Sequence, residues 1–433
     1  MIRRPGVRRG SLAAGLVAAA LLAAGCSSGS SSSSSSSAAA GASSASSSSG
    51  STATGSPVVV YTSALLKTPL GDIPQLPAAL KAGALAINKA GGLDGHPVVV
   101  KVCNDTDPNA ELVCARNAAA DKAIAFVSPV FLYNAAAVDS ELAQYHIPNV
   151  AAINTQESEY SSPMYFAVDA PELAYQACPN LVPQQTGKKK IGIVSNNLPS
   201  NLQIINHLEQ GMKNTGADYV GKVIVPVNTT DFSSAVQQIS GDGAQTVITD
   251  LTPSTMPGFL QAAASLGKHF AVCTSANQVP VGMLAQLGPA ANNVYLASGI
   301  PALSDMGQYK LLAEYKQELT AEAATGDSAA DPNQGIPIIT LRAWLGTKVL
   351  QQVAASVHGP LTNETLLAAL NKATAVSLGG VVPTLDFAKP NLAAGYARVF
   401  NPYATILKWD VSSKQEVATG AKPVDTVRLL TGA

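Results

Sequence analysis

Short Val- and Ile-rich runs alternate with Ala- and Leu-rich segments along most of the chain, and this alternation constrains the fold more than any other feature. The runs occupy residues 57–63, 96–103, 123–129, 147–153, 189–196, 219–227, 244–250, 269–275 and 292–299. Nearly continuous apolar strands separated by helical segments are typical of parallel sheets that are covered by helices on both faces. The predicted fold class is therefore α/β.

The chain after residue 56 is too long for one hydrophobic core of ordinary size, which favours two domains. Residues 158–169 carry no helical pattern and lie between two series of strands and helices, so they are predicted to form the first crossing between domains. We predict two Rossmann-like lobes with parallel sheets, joined by a multi-strand hinge. Lobe 1 comprises 57–165 plus 301–375, and lobe 2 with the hinge comprises 166–300 plus 376–433.

The N-terminal region has the pattern of an export signal. Several arginines precede an apolar run from Leu12 to Ala24, which is too short for a stable membrane span, so residues 1–25 are predicted to be cleaved off. The sequence "LLAAGC" resembles a bacterial lipobox, which implies lipidation of Cys26; in the alternative, Cys26 is a bystander in an ordinary secretory signal. Residues 26–56 are Ser-rich and predict a disordered tether. The expected location is extracytoplasmic, with a lipid anchor in the cell membrane, and both the Sec and the twin-arginine export routes stay open.

Four cysteines follow Cys26, and in an exported protein they favour disulfides. Four cysteines allow three connectivities. Cys103 ends a predicted strand and Cys114 lies in the helix that follows, so a local bridge is sterically plausible. We favour Cys103 with Cys114 and Cys178 with Cys273. The rival interpretation is a zinc site, but the chain has no CxxC motif and no paired histidine spacing, so neither a metal nor a cofactor is expected.

Charge and motifs argue against two other classes of protein. The formal net charge is −1, with no basic patch, so nucleic acid is not an expected partner. From residue 57 onwards the chain contains no GxSxG, HExxH or GxGxxG motif and no complete P-loop, so an exported enzyme is the least favoured hypothesis.

Residues 86–117, "AINKAGGLDGHPVVVKVCNDTDPNAELVCARN", are similar to the first lobe of type I substrate-binding proteins of ABC importers, in the group that binds branched-chain amino acids and amides. The residues on the recurring pattern of that family are Asn88, Gly91, Gly92, Gly95, Asp105, Asp107, Pro108, Ala115 and Arg116. Further along, "GIPALSDMGQYKLLAEYKQEL" and "GGVVPTLDFAKP" resemble its return to the first lobe and its terminal hinge segment. The resemblance covers residues 57–412.

This resemblance implies a monomeric, lipid-anchored solute-binding protein. It would capture a small polar or amphipathic ligand, such as an amino acid, an amide or a similar carboxylate, in a cleft between the lobes. Hinge closure would trap the ligand, and docking on ABC permease subunits would deliver it. The alternative is a ligand-sensing receptor subunit, which the sequence does not distinguish from an importer subunit.

In doubly wound sheets, small molecules bind beyond the carboxyl ends of the strands. The polar candidates at predicted strand ends are Tyr61, Ser128, Tyr133, Asn134, Asn154, Thr155, Asn197, Asp250 and Ser275. The resemblance gives Ser128 and Thr155 the role of holding a carboxylate or amide. The loop after 269–275 lacks the acidic residue that amino-acid binders place against the ligand ammonium, which leaves Asp250 as the candidate. Each of these residues is also of a type that caps helices and closes turns.

Overall fold

The computed structural model describes residues 53–279, 281–334 and 337–433. The predicted export signal, Cys26 and the tether up to residue 52 lie outside the described residues. Among the helices that are described, none combines the length and apolar character needed to cross a membrane.

The first sheet is entirely parallel and has five strands in the order β2-β1-β3-β4-β5. Its strands are β1 (Val58–Ala64), β2 (Val98–Asn104), β3 (Ala125–Val127), β4 (Asn149–Val150) and β5 (Tyr165–Phe166). The central strands are buried, as expected for a sheet with helices on both faces.

The second sheet has eight strands, of which β12, β11, β10, β9, β8, β6 and β7 follow one another and β13 pairs with β11. The strands are β6 (Ile191–Asn196), β7 (Tyr219–Val225), β8 (Thr246–Asp250), β9 (Ala271–Ser275), β10 (Val294–Ser298), β11 (Tyr403–Asp410), β12 (Gln415–Ala418) and β13 (Val424–Asp425). Strands β6 to β10 are parallel, whereas β11 runs antiparallel to β10 and β12. Every predicted apolar run contains a strand, which confirms the α/β class.

Helices connect the strands and cover both sheets. They are α1 (Gln75–Lys89), α2 (Pro108–Ala120), α3 (Ala135–Gln144), α4 (Ala177–Thr186), α5 (Pro199–Thr215), α6 (Ser233–Gly241), α7 (Met256–Ser265), α8 (Val281–Leu287), α9 (Lys310–Ala323), α10 (Ile338–Ala354), α11 (Asn363–Leu370) and α12 (Thr426–Thr431). Asp107 caps α2 by accepting from the N–H groups of Asn109 and Ala110, and Thr362 caps α11 in the same way. These caps fix where the loops that precede them end.

The chain passes between the two sheets three times. It crosses after β5, returns after β10 to place α9 and α10 against α1, and crosses again after α11 to form β11. The expectation for residues 158–169 needs correction, because they include β5, which pairs with β4, and part of a short 3-10 helix, Glu157–Tyr160. A two-residue strand is too short to leave a periodic pattern. The first sheet thus extends to Phe166, and the domain boundaries remain a prediction.

Both predicted disulfides are present. Cys103–Cys114 joins the end of β2 to α2, and Cys178–Cys273 joins α4 to β9. The first bridge brackets the loop between β2 and α2, so it fixes that loop beside the carboxyl ends of the first sheet.

Candidate functional site

A cavity, here named the cleft cavity, lies where loops from the carboxyl ends of both sheets meet. Its lining residues are Leu65, Leu70, Ile73, Val130, Leu132, Ile153, Thr155, Glu172, Leu198, Ser200, Asn201, Ile204, Thr252, Pro253, Asn277, Gln278 and Ile339. The cavity volume is about 60 Å³, which is smaller than the roughly 150 Å³ that holds a benzene molecule. A ligand of amino-acid size therefore requires the lobes or the lining side chains to move apart.

The walls of the cleft cavity are mostly apolar. Leu65, Leu70 and Ile73 come from the connection between β1 and α1, while Leu198 and Ile204 face them from the start of α5. Small-molecule sites typically combine such walls with a few convergent polar groups that set the orientation of the ligand. The polar groups of this cavity lie chiefly on the side of the second sheet.

The most unusual polar group is the carboxyl of Glu172, which is only 8% exposed and lines the cavity. Its Oε2 has no hydrogen-bond partner among the described residues. Burial, and then repulsion from Asp250, raise the pKa of Glu172 well above its usual value. A buried carboxyl without a partner is costly, so a ligand that supplies a positive charge or a hydrogen-bond donor would be favoured here.

Asp250 lies directly behind the cavity, at the end of β8, and is fully buried. Gln278, which lines the cavity, donates to its Oδ1 over 3.4 Å, and the Tyr175 hydroxyl donates to the same oxygen over 3.1 Å. Asn201 donates to the Asp250 carbonyl over 2.7 Å. Asp250 thus positions two of the amide side chains that line the cavity.

The lining contains no Lys, Arg or His side chain within the described ranges. The nearest buried cation is Arg342, whose guanidinium is bound bidentately to Asp169 and also donates to Asn277. Since its three nitrogens are engaged, Arg342 does not offer a free positive charge to the cavity. In the part of the chain that is described, no cluster of three or more His, Cys, Asp or Glu residues is placed to hold a metal ion.

Two further carboxyl groups shape the loops of the first sheet. Glu111 accepts from the N–H groups of Tyr133 (2.9 Å) and Asn134 (2.7 Å). Glu159 accepts from the N–H groups of Thr155 (2.6 Å) and its neighbour Gln156 (2.7 Å). These bonds fix the loops after β3 and β4, where Leu132 and Thr155 reach the cavity.

Of the residues predicted from the sequence, Thr155 lines the cavity, and Asp250 and Ser275 lie buried just behind it. Asn154 and Ser128 are also buried at strand ends, and each has a side-chain oxygen without a partner among the described residues. Ser128 has a positive φ of 48° in the turn that follows β3. Their contact with a ligand remains a prediction.

The other predicted residues are not brought to the cleft cavity. The hydroxyl of Tyr61 donates to Asp121, and its ring packs on Phe126 on the α2 side of the sheet. Tyr133 offers its backbone to Glu111, Asn134 caps α3, and Asn197 is exposed beside the end of β7. In this structure, these four residues contribute to a strand, a turn or a helix cap and do not line the cavity.

Sequence reasoning missed most of the lining. Glu172 lies in the crossing segment after β5 and not directly after a strand, so the strand-end rule does not select it. The signal that could have found it is the pair of acidic residues Asp169 and Glu172 in an otherwise apolar crossing. The apolar lining residues carry no local signal, because leucine and isoleucine are equally common in the core.

The pKa of Asp250 is raised by burial from 3.8 to about 7. Between about pH 4 and about pH 7 the folded state therefore keeps a proton that the unfolded state has lost, so Asp250 lowers stability as pH rises through this window. We expect Asp250→Asn to reduce the fall in the free energy of unfolding, measured by urea denaturation across this range. Asp410→Asn is the control, because hydrogen bonds from Ser413 and Ser412 lower the pKa of Asp410 to about 2, so it does not titrate there. An unchanged slope in Asp250→Asn would contradict the expectation.

Comparison with known proteins agrees with this architecture. A profile of the periplasmic binding protein family matches residues 72–398. No curated protein matches the sequence significantly.

Several solved structures share the fold. A possible leucine/isoleucine/valine-binding protein from Rhodopirellula baltica has a TM-score of 0.71 at 13% identity, covering 87% of this chain and 98% of that one. A fatty acid ABC transporter substrate-binding protein from Thermomonospora curvata has a TM-score of 0.70 at 14% identity, and the match covers 88% of this chain and 95% of that one. An ABC transporter solute-binding protein from R. palustris, in complex with 4-hydroxybenzoate, has a TM-score of 0.68 at 16% identity, covering 86% and 97%.

These structural similarities establish the type I periplasmic-binding fold, with its two sheets and repeated chain crossings. The named neighbours are solute-binding proteins and not enzymes. Because the family profile also spans most of the sequence, this chain belongs to the periplasmic binding protein family.

Proposed function

We propose that this protein is a lipid-anchored, extracytoplasmic solute-binding subunit that captures a small apolar amino acid or a similar amine and delivers it to an ABC importer. The observation that carries the proposal is the buried Glu172 carboxyl in a cavity with apolar walls, whose Oε2 accepts no hydrogen bond from the part of the chain that is described. An ammonium group would satisfy this carboxyl through a charge-assisted hydrogen bond. The apolar part of the ligand would pack against Leu65, Leu70 and Ile73.

Electrostatics favours an amine over a simple acid. The cavity lining offers Glu172 and the neighbouring Asp250 but no cationic side chain within the described ranges. A ligand with only a carboxylate would be repelled by the ionised form of either group and could bind only while both keep their protons, whereas an ammonium favours the ionised form of Glu172. A zwitterionic amino acid can place its ammonium toward Glu172, and its carboxylate would bind Thr155 once the Thr155 hydroxyl turns from the Phe131 carbonyl toward the ligand.

A thermal-shift screen tests the ligand class. Leucine, isoleucine, valine and the corresponding amines without the carboxylate are expected to raise the melting temperature by several degrees. A ligand at a hundred times its Kd stabilises the folded protein by about 2.7 kcal/mol. The matched control is 4-methylpentanoate, which keeps the apolar body and the carboxylate of leucine but lacks the amine. Stabilisation by 4-methylpentanoate equal to that by leucine would contradict the proposed head group.

Ligand entry requires the lobes to open, because the cleft cavity of about 60 Å³ is too small for leucine. The crossings after β5, β10 and α11 are the segments about which such a hinge would turn. Delivery to a permease then depends on the closed, ligand-bound form presenting a different surface from the open form.

The anchor is tested separately. Cys26→Ala is expected to move the protein from the membrane fraction to the soluble fraction, because Cys26 is the residue that the lipobox would lipidate. The control is a serine substitution in the tether, such as Ser36→Ala, which should leave the protein in the membrane fraction. Retention of Cys26→Ala in the membrane fraction would reject the lipid anchor.

A further inference from the structure

A second cavity, here named the edge cavity, shares no lining residue with the cleft cavity. It is enclosed by β12 at the edge of the second sheet, by α9, and by the short 3-10 helix Leu303–Gly307 that follows β10. Its volume is about 240 Å³, larger than that of the cleft cavity, at about 60 Å³. Helix α9 packs against α1 of the first lobe, so the edge cavity lies between elements of both lobes.

The edge cavity contains a buried carboxyl without a partner. Glu416, on β12, is 4% exposed and lines the cavity, and its Oε1 has no hydrogen-bond partner among the described residues. Burial alone raises its pKa to about 8, because no neighbouring group offsets its charge. Buried polar groups in native proteins are nearly always satisfied, but none of the described residues donates to this oxygen, so a ligand donor would be favoured here.

A second unsatisfied group lies beside it. Trp409, on β11, is directly opposite Glu416 in the antiparallel register, which places both side chains on the same face of the sheet. Trp409 is 1% exposed, and its Nε1 donor has no partner in the described part of the chain. The indole therefore lies where it would sense any molecule that binds to Glu416.

The other lining residues of the edge cavity include both apolar and basic side chains. Met306 and Leu312 provide apolar wall, whereas Lys316 and Lys414 are exposed and lie at the mouth. A ligand that fits this gradient carries a donor at its inner end, an apolar middle and a negative charge at its outer end.

We propose that the edge cavity is a second binding site, for a small ω-amino acid. The ammonium group binds the Glu416 carboxylate, the methylene chain packs against Met306 and Leu312, and the acid group faces Lys316 and Lys414. The inner bond supplies most of the affinity, because it is shielded from water, whereas the two exposed lysines contribute little. The site is independent of the ligand assigned to the cleft cavity.

Fluorescence gives a local readout, because the chain has only two tryptophans, Trp344 and Trp409. In a Trp344→Phe background, Trp409 is the sole tryptophan and reports on the edge cavity. The probe is 5-aminopentanoate, compared with pentylamine and pentanoate. We expect a saturable change in emission with 5-aminopentanoate, binding a few-fold weaker for pentylamine, and at least about tenfold weaker for pentanoate.

Two matched variants assign the site. Glu416→Gln keeps the shape of the side chain and removes the charge, so it should weaken 5-aminopentanoate binding by about tenfold or more. Glu172→Gln, the same change in the cleft cavity, should leave the Trp409 response unaltered. If Trp344→Phe does not fold, calorimetry on the protein with both tryptophans gives the same comparison.

Three outcomes would overturn the proposal. If 5-aminopentanoate changes the emission of Trp409 no more saturably than it changes that of free N-acetyltryptophanamide, no ligand binds beside Trp409. A response abolished by Glu172→Gln but not by Glu416→Gln places the ligand in the cleft cavity. Equal binding of pentanoate and 5-aminopentanoate rejects the contact between ammonium and carboxylate. None of these outcomes bears on whether leucine binds in the cleft, so the two proposals fail separately.

Discussion

Glu172→Gln is expected to weaken the binding of leucine, or of whichever amine the thermal-shift screen identifies, by on the order of a hundredfold. Removing one partner of a buried, hydrogen-bonded charge pair costs about 2 to 5 kcal/mol, and about 1.4 kcal/mol corresponds to a factor of ten. Glutamine keeps the shape of the side chain, so the cavity walls stay in place. Calorimetric titration of both proteins measures the difference.

The same substitution should make the ligand-free protein more stable at neutral pH. Because the pKa of Glu172 is raised, the folded state holds its proton after the unfolded state has lost it, and stability falls as pH rises above the ordinary value of 4.5. A neutral glutamine removes this loss. Weaker ligand binding together with higher stability of the free protein would indicate that the carboxyl serves the ligand and not the fold; the loss of binding is the part that a carboxyl outside the cavity would not show.

Glu322→Gln is the matched control. Glu322 is a buried carboxyl on α9, 7% exposed, with a raised pKa, but it does not line the cleft cavity. It should leave ligand affinity unchanged. If Glu172→Gln binds leucine as tightly as the unmodified protein does, the ammonium lies elsewhere and the proposed ligand class loses its main support.

The sequence predicts the fold better than the site for a physical reason. Strands such as β6 and β8 are buried on both faces, so their apolar runs are continuous and easy to recognise. Because both faces of such a strand are buried, the sequence does not show which face packs against which layer of helices. Tyr61 and Thr62 are adjacent in β1 and point to opposite faces, and only the folded structure shows that Tyr61 faces α2 and not the cleft.

The strand-end rule points to the edge of the two sheets where the cleft cavity lies, but it selects a different kind of residue from those that line the cavity. It favours polar residues immediately after strands, which here mostly serve the loops themselves: Asn134 caps a helix and Thr155 donates to the Phe131 carbonyl. The cavity is instead lined by residues further along each connection, such as Leu70 and Gln278. Their positions depend on how the loops pack across the two lobes, which no local pattern encodes.

Arg342→Met is expected to lower the free energy of unfolding by about 3 to 5 kcal/mol, the cost of leaving one member of a buried ion pair without its partner. Arg342 is 1% exposed, and its Nε and Nη2 lie 2.6 Å from the two carboxylate oxygens of Asp169. Gly299 packs so closely on Asp169 that an added Cβ would lie 2.6 Å from its carboxylate, so Asp169 has little room to turn toward water.

The position of this pair explains why its loss should also disturb the cleft. Arg342 is on α10, which packs against the first sheet, whereas Asp169 is in the first crossing and Asn277 follows β9 of the second sheet. The guanidinium therefore ties both lobes together beside the cavity that Asn277 lines. Without it, Asp169 is left as an unpaired buried carboxylate, and Glu172 loses the favourable charge of Arg342.

Two controls separate the ion pair from a general loss of packing. Arg116 pairs with Glu141 at 2.6 Å, but its side chain is 59% exposed, so Arg116→Met should cost only about 0 to 1 kcal/mol. The double variant Arg342→Met/Asp169→Asn removes both charges and should recover much of the loss, because no buried charge is then left unpaired. Urea denaturation of the unmodified protein, Arg342→Met, Asp169→Asn and the double variant measures the coupling. If Arg342→Met lowers the free energy of unfolding no more than Arg116→Met does, Asp169 regains contact with water when its partner is removed. The lobes would then be held together by apolar contacts alone.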